Sequence, residues 1–345
     1  MKRDMPSRRT VLLSLFGLGA GVGTAYLYRA NNTIPAPDAA AEQRFRTLQD
    51  RVLARYGVPA TSKFYDVVNP TLRVHVIEAG KGEPVLFVHG GNSVAAGWIP
   101  LLAHFHQAFR VLAPDRPGCG LTTKFNYLGV PLREHAVAYI RGLMDAMHVS
   151  RTAIVGNSMG GYFALAFALA HPDRVSKLIL VGEPAGSAPK IRLANRLFGT
   201  RIINSILFAT ILKPGRPGPM GTVVVAHPDR VPNDLVDCFN AGSVIPGAVE
   251  SWITMSEGFF RPEGAGLFAG ASPLTFALRP ELGGLQPPTL LLWGEKDSFG
   301  PPTLGQEMAR LMPNGRCDVI PDAGHLAWLD QPEICIERIR TFLDA

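Results

Sequence analysis

Ala153-Ile154-Val155-Gly156-Asn157-Ser158-Met159-Gly160-Gly161, running directly into Tyr162-Phe163-Ala164-Leu165-Ala166, is a β-branched run that ends in Gly-x-Ser-x-Gly and continues as a helix former. The stretch reads as a strand, a tight turn and a helix. A turn this sharp brings backbones too close for a Cβ, which is why glycines flank the serine, and it leaves Ser158 strained with its hydroxyl exposed. Ser158 then stands at a helix N-terminus, where backbone N–H groups such as that of Met159 can stabilise an oxyanion. Such a site suits a serine that attacks a carbonyl.

A serine hydroxyl is a poor nucleophile until a base takes its proton. Both required partners occur downstream. Pro288-Thr289-Leu290-Leu291-Leu292-Trp293-Gly294-Glu295-Lys296-Asp297 is an apolar strand running into a polar loop, so Asp297 falls at a strand's carboxyl end, where parallel sheets place their binding sites. Arg316 to His325 is a shorter strand and loop, with His325 shortly before a final helix from Pro332 to Leu343. Asp322, three residues before His325, is the rival acid. The chain order Ser, Asp, His differs from that of the two familiar serine protease types. The second oxyanion donor is expected from Pro84-Val85-Leu86-Phe87-Val88-His89-Gly90-Gly91-Asn92, a buried-looking strand ending in glycines that allow close backbone approach. The N–H of Gly91 is the chosen donor.

His89-Gly90-Gly91, Asp115-Arg116-Pro117-Gly118-Cys119-Gly120, Gly156 to Gly161, Trp293 to Asp297 and Gly324-His325 together resemble the landmarks of the α/β-hydrolase family in their usual order. The resemblance covers roughly residues 60 to 345. It implies an eight-stranded, mostly parallel sheet with helices on both faces. It also implies Ser158 as nucleophile, His325 as base and Asp297, after the seventh strand, as the residue that orients the base. The Gly- and Pro-rich stretch from Glu183 to about Gln286 breaks the alternation of strand and helix where the family inserts a lid, and roughly a hundred residues far exceed an ordinary loop. Within the family, haloalkane dehalogenases and most epoxide hydrolases use an aspartate nucleophile, which Ser158 disfavours. Carbon–carbon bond hydrolases of aromatic ring degradation share the elbow and oxyanion regions but usually carry Trp directly after the catalytic His, where this chain has Leu326. Cofactor-free perhydrolases share the triad. The expectation is a serine hydrolase that cleaves a carboxylic ester of a small to medium hydrophobic substrate without a cofactor or metal. The carbon–carbon and perhydrolase chemistries stand as alternatives, and a non-catalytic, membrane-tethered binding protein is the reading from a different class.

Composition supports an enzyme body behind a separate leader. The chain has 345 residues, 47% hydrophobic and 18% charged, enough for a large core in one elaborated domain. Its net charge of +6 comes without a Lys/Arg run interleaved with aromatics, so nucleic acid is not an expected partner. The four cysteines show no metal spacing. Residues 1–41 read as an export signal or membrane anchor plus a linker, with the hydrolase domain over 42–345. Arg8-Arg9 precede an uncharged run to Tyr28 and resemble a twin-arginine signal, Ala39-Ala40-Ala41 offers a small-residue cleavage site, and the enzyme body is expected in the periplasm or on the outer face of the inner membrane. In the insert, Lys190, Arg192, Arg196 and Arg201 punctuate apolar residues at helical spacing, which reads first as a solvated amphipathic face and second as a membrane contact. Trp252, Met255, Phe259 and Phe260 are candidates to line an apolar pocket.

Overall fold

A computed structural model of the chain describes residues 34–35, 38–189, 223–260 and 274–345, apart from the side chain of Phe260. The leader's Arg8-Arg9 and apolar run, and the basic amphipathic segment of the insert, lie outside the described residues. Eight strands make one sheet: β1 Thr61–Val67, β2 Leu72–Ala79, β3 Pro84–Val88, β4 Arg110–Pro114, β5 Thr152–Asn157, β6 Val175–Val181, β7 Thr289–Gly294 and β8 Gly315–Ile320. The described helices are α1 Ala39–Arg55, α2 Ile99–Phe105, α3 Leu132–Ala146, α4 Met159–Ala170, α5 Asn233–Val244, α6 Ala248–Phe260, α7 Leu274–Ala277, α8 Pro302–Leu311, α9 Ala327–Asp330 and α10 Pro332–Asp344. None of them is long and apolar enough to cross a membrane.

The strand order is β1-β2-β4-β3-β5-β6-β7-β8. β2 pairs antiparallel with both β1 and β4, and the remaining neighbours are parallel. The expected eight-stranded, mostly parallel sheet is therefore present. Its central strands are continuous apolar runs because both faces are covered. Along β3, Val85 and Phe87 enter one core layer while Leu86 and Val88 enter the other, and β7 divides Leu290 and Leu292 from Leu291 and Trp293 in the same way. The first layer packs on residues of α1, α2, α5 and α10, and the second on α3, α4 and α8.

Topology fixes where a site can form. From β3 the chain moves outward to β4 and returns to β5 on the other side of β3, so the order reverses between β3 and β5. Connections leaving those two strands diverge and open a crevice at their carboxyl ends. His89-Gly90-Gly91 follows β3 there, and Ser158 follows β5.

The linker reading of Ala39 to Ala41 is corrected. These alanines are the first turn of α1, capped by Asp38, whose side chain accepts the N–H groups of Ala40 at 2.9 Å and Ala41 at 3.2 Å. α1 buries Phe45, Val52 and Leu53 in the same core layer as Leu235 and Phe239 of α5. That part of the expected lid is fastened to the body.

The elbow's glycines are sterically required. A Cβ on Gly156 would lie 2.7 Å from the carbonyl oxygen of Gly160 and 2.8 Å from the Cα of Gly161. One on Gly160 would fall well inside contact distance of the carbonyl oxygens of Val88 and His89. Gly160→Ala should therefore lower stability by about 1–3 kcal/mol or prevent folding, as read by urea denaturation. An unchanged midpoint would show that α4 and β3 approach less closely than this.

Candidate active site

Ser158 caps α4 with φ 51° and ψ −117°, the strained geometry expected of a nucleophile elbow. Its carbonyl is held by the N–H groups of Tyr162 at 3.0 Å and Ala185 at 3.1 Å. The preceding Asn157 donates its side-chain amide to Val181 O at 2.7 Å and to His325 O at 3.4 Å, which ties the end of β5 to the histidine loop. Gly182 completes that junction with φ 71°, since a Cβ there would lie 3.0 Å from His325 Nδ1.

Asp297 and His325 are in direct contact. His325 Nδ1 lies 2.9 Å from Asp297 Oδ2 and 3.1 Å from Oδ1, so the ring proton belongs on Nδ1 and the lone pair on Nε2. Nε2 is buried and has no hydrogen-bond partner among the described residues. Asp297 also accepts the N–H of Glu183 on Oδ2 at 2.9 Å and that of Phe299 on Oδ1 at 2.9 Å. Asp322, the rival, is not bonded to His325. It pairs with Lys296 and, at 2.7 Å, with His227 Nε2 on a partly exposed surface.

Electrostatics favour a charged imidazole. Burial lowers the His325 pKa, but the charge and hydrogen bond of Asp297 and the charge of Glu183 outweigh it, and the net shift is upward from 6.5. Glu183 was not anticipated from sequence. It is buried, its Oε1 accepts the Ser187 N–H at 2.5 Å, and burial pushes its carboxyl up to about 7 against the opposing pull of Ser187 and His325. A base with a raised pKa is deprotonated only above that pKa, so kcat/KM should fall as pH drops through a value above 6.5. Glu183→Gln removes the charge that this carboxyl exerts on His325 when ionised and should move that limb to lower pH by less than about one unit. A limb that does not move would show that Glu183 has no bearing on the base.

The two N–H groups expected to hold an oxyanion, those of Gly91 and Met159, lie in the β3 loop and at the start of α4. Met159 opens α4, so its N–H has no acceptor within the helix. Gly91 lies against α6, where a Cβ would sit 2.5 Å from the ring of Trp252. Met255, one turn on, accepts from Arg116 Nη1 on its Sδ at 3.7 Å. Phe259 is a core residue. On the base side the ring of Phe299, itself 42% exposed, tilts over His325 at 4.4 Å between centroids. Asp330 was also missed. It gathers the N–H groups of Gly324, Ala226 and His227 at 2.8–2.9 Å and so fixes the histidine loop.

Serine, histidine and aspartate also come together on the opposite flank. His75 Nδ1 is 2.8 Å from Asp115 Oδ2, and its Nε2 is 3.1 Å from Ser62 Oγ. Here Gln49 also donates to Ser62 Oγ at 2.9 Å, and Asp115 holds the N–H groups of Ala95 and Leu121 at 2.7 and 3.0 Å. Ser62 sits within the paired ladder of β1 and β2, away from any helix N-terminus, so this chain ties α1 to the sheet. Among the described residues no cluster of His, Cys, Asp or Glu could hold a metal ion, and the four cysteines are free.

The sequence profile of the alpha/beta hydrolase family matches residues 85–338. The chain belongs to the alpha/beta hydrolase family. Among its relatives, this hydrolase is 28% identical over 283 residues to the 2-hydroxy-6-oxo-6-phenylhexa-2,4-dienoate hydrolase of Burkholderia cepacia, covering 77% of this chain and 91% of that one. It is 30% identical over 287 residues to the 2-hydroxy-6-oxononadienedioate/2-hydroxy-6-oxononatrienedioate hydrolase of Comamonas testosteroni, with the same two coverages of 77% and 91%. Its fold is similar to that of carboxylesterase CesB from Bacillus subtilis, with a TM-score of 0.64 at 18% identity, covering 88% of this chain and 99% of that one. The last likeness concerns the fold alone. The sequence relatives favour the carbon–carbon alternative over the ester reading.

Proposed function

We propose that this hydrolase forms an acyl-enzyme on Ser158 and that its substrate is an uncharged carboxylic ester of small to medium size. His325 Nε2 takes the hydroxyl proton as Oγ bonds to the carbonyl carbon, and the oxyanion is held by the N–H groups of Gly91 and Met159. The protonated imidazole, stabilised by Asp297, then gives its proton to the departing alkoxide. Water, deprotonated by the same imidazole, releases the acid. The observation that carries the ester reading is the apolar flanking of this centre by Phe299 over His325 and Trp252 against Gly91. A charged acyl group would lose hydration there without an assured partner.

The second reading is hydrolysis of a carbon–carbon bond beside a ketone in a 2-hydroxy-6-oxo-dienoate, which the relatives' activities support and Leu326 opposes. The two are separated by measuring kcat/KM for a series of uncharged p-nitrophenyl esters beside 2-hydroxy-6-oxo-6-phenylhexa-2,4-dienoate. Esters are expected to be preferred by at least an order of magnitude. The reverse preference would transfer the assignment to the carbon–carbon reaction. We also propose that the leader ahead of α1 directs the enzyme out of the cytoplasm. Arg8→Lys with Arg9→Lys should abolish periplasmic recovery of a tagged full-length chain, and a wholly cytoplasmic wild type would overturn the proposal.

A further inference from the structure

We infer that Arg116 is a positioning residue of the oxyanion hole: with His89 it clamps the carbonyl of Gly90, and so holds the N–H of Gly91 toward Ser158. The inference rests on the serine chemistry proposed above.

Arg116 is fully buried, one of the largest side chains to be so. Burying a guanidinium is costly unless its donors are satisfied. Its Nε donates to His89 O at 2.8 Å and its Nη2 to Gly90 O at 2.8 Å, so two prongs of one planar fork grip successive carbonyls of the loop after β3. The backbone N–H of Arg116 donates to His89 Nε2 at 2.9 Å. That leaves the ring proton on His89 Nδ1, which donates to the same Gly90 O at 2.8 Å. Burial and then the Arg116 charge lower the His89 pKa to about 3, which keeps the ring in the neutral form this arrangement needs. The fork is itself seated from two helices, with the guanidinium 5.1 Å over the ring of Phe163 in α4 and Nη1 at 3.7 Å from Met255 Sδ in α6.

The consequence follows from peptide geometry. In a trans peptide the carbonyl and the next N–H point to opposite sides of one plane. The Gly90 carbonyl faces Arg116 and His89, so the N–H of Gly91 faces away from them. Gly90 itself borders the nucleophile, since a Cβ on it would lie 3.2 Å from Ser158 Cβ. Two donors on one carbonyl, one of them cationic, also polarise the peptide and strengthen its N–H as a donor. A fixed positive charge behind the plane adds stabilisation that grows as the oxyanion develops.

A purely structural arginine would affect stability and all ligands alike, whereas a positioning role acts selectively on the anionic tetrahedral state. The test compares full-length wild type, Arg116→Met and Arg116→Lys for kcat and KM on p-nitrophenyl butyrate and for inhibition by phenylboronic acid, whose serine adduct is tetrahedral and anionic. In Arg116→Met, kcat should fall about ten- to a hundredfold with KM within about threefold, and the boronate Ki should rise by a similar factor. Arg116→Lys, which keeps the charge but cannot fork across both carbonyls, should fall in between. A folded Arg116→Met with kcat and boronate Ki within twofold of wild type overturns the inference, as does a loss confined to KM. Should the methionine variant fail to fold, the lysine variant gives the same reading: kcat and Ki moving together support the clamp, and both unchanged overturn it. Equal hydrolysis by wild type and Ser158→Ala would identify failure of the serine reading itself, which takes the inference down with it.

Discussion

Ser158→Ala is expected to lower kcat for a uncharged ester by about four orders of magnitude or more while the protein stays folded. A residue held at φ 51° and ψ −117° stores strain, and here that strain presents Oγ at the first turn of α4. Alanine at the same position keeps a Cβ and meets the same backbone demand, so stability should hardly change. What is lost is the covalent step and with it the use of His325 as a base, since removing one member of such a set disables the others. A fluorophosphonate probe followed by peptide mass spectrometry should place the adduct on Ser158, with no labelling of the variant. Persistent labelling would move the nucleophile elsewhere. Ser62, 3.1 Å from His75 Nε2, is the first place to look, and an adduct there would overturn the reading of that chain as a structural tie.

What was legible in the sequence was whatever local sterics or burial write into neighbouring residues. The elbow could be read because no side chain fits at Gly156 or Gly160, and the central strands because a strand covered on both faces has no polar alternation. Helix α1 left a fainter mark, an Asp38 cap ahead of apolar Phe45, Val52 and Leu53, which the alanines at its start disguised as linker. Residues that act through distant contacts left none. Glu183 reaches Asp297 across 114 positions of sequence, and Asp330 holds Ala226 across 104. Arg116 could be quoted within the Asp115 to Gly120 landmark, but nothing in that motif says that its guanidinium grips His89 and Gly90. The ambiguity between Asp297 and Asp322 had the same origin: both stand at the end of a β segment, and only the packing of β7 against β8 decides which carboxylate His325 meets.

That choice predicts a sharp difference between two chemically identical substitutions. Asp297→Asn is expected to lower kcat about a thousandfold or more, and Asp322→Asn less than threefold. At Asp297 every acceptor is committed, Oδ2 to His325 Nδ1 and the Glu183 N–H, Oδ1 to the Phe299 N–H. An asparagine must turn its NH2 toward one of these donors. If it faces Phe299, that part-buried N–H loses its acceptor, and if it takes the place of Oδ2, the buried N–H of Glu183 loses its own. If it faces His325, the ring is driven to carry its proton on Nε2, where it cannot take the proton of Ser158. Either orientation also removes the negative charge that raises the His325 pKa, so the residual activity of Asp297→Asn should show its acid limb at lower pH than wild type. An unsatisfied buried donor costs about 1–3 kcal/mol, so the urea midpoint should fall as well. Asp322 meets none of these conditions. Its partners Lys296 and His227 are partly exposed, and its φ of 54° is a conformation that asparagine tolerates as readily as aspartate. Steady-state kinetics and pH profiles of the two folded variants decide the matter, and a larger loss at Asp322 would transfer the orienting role to it.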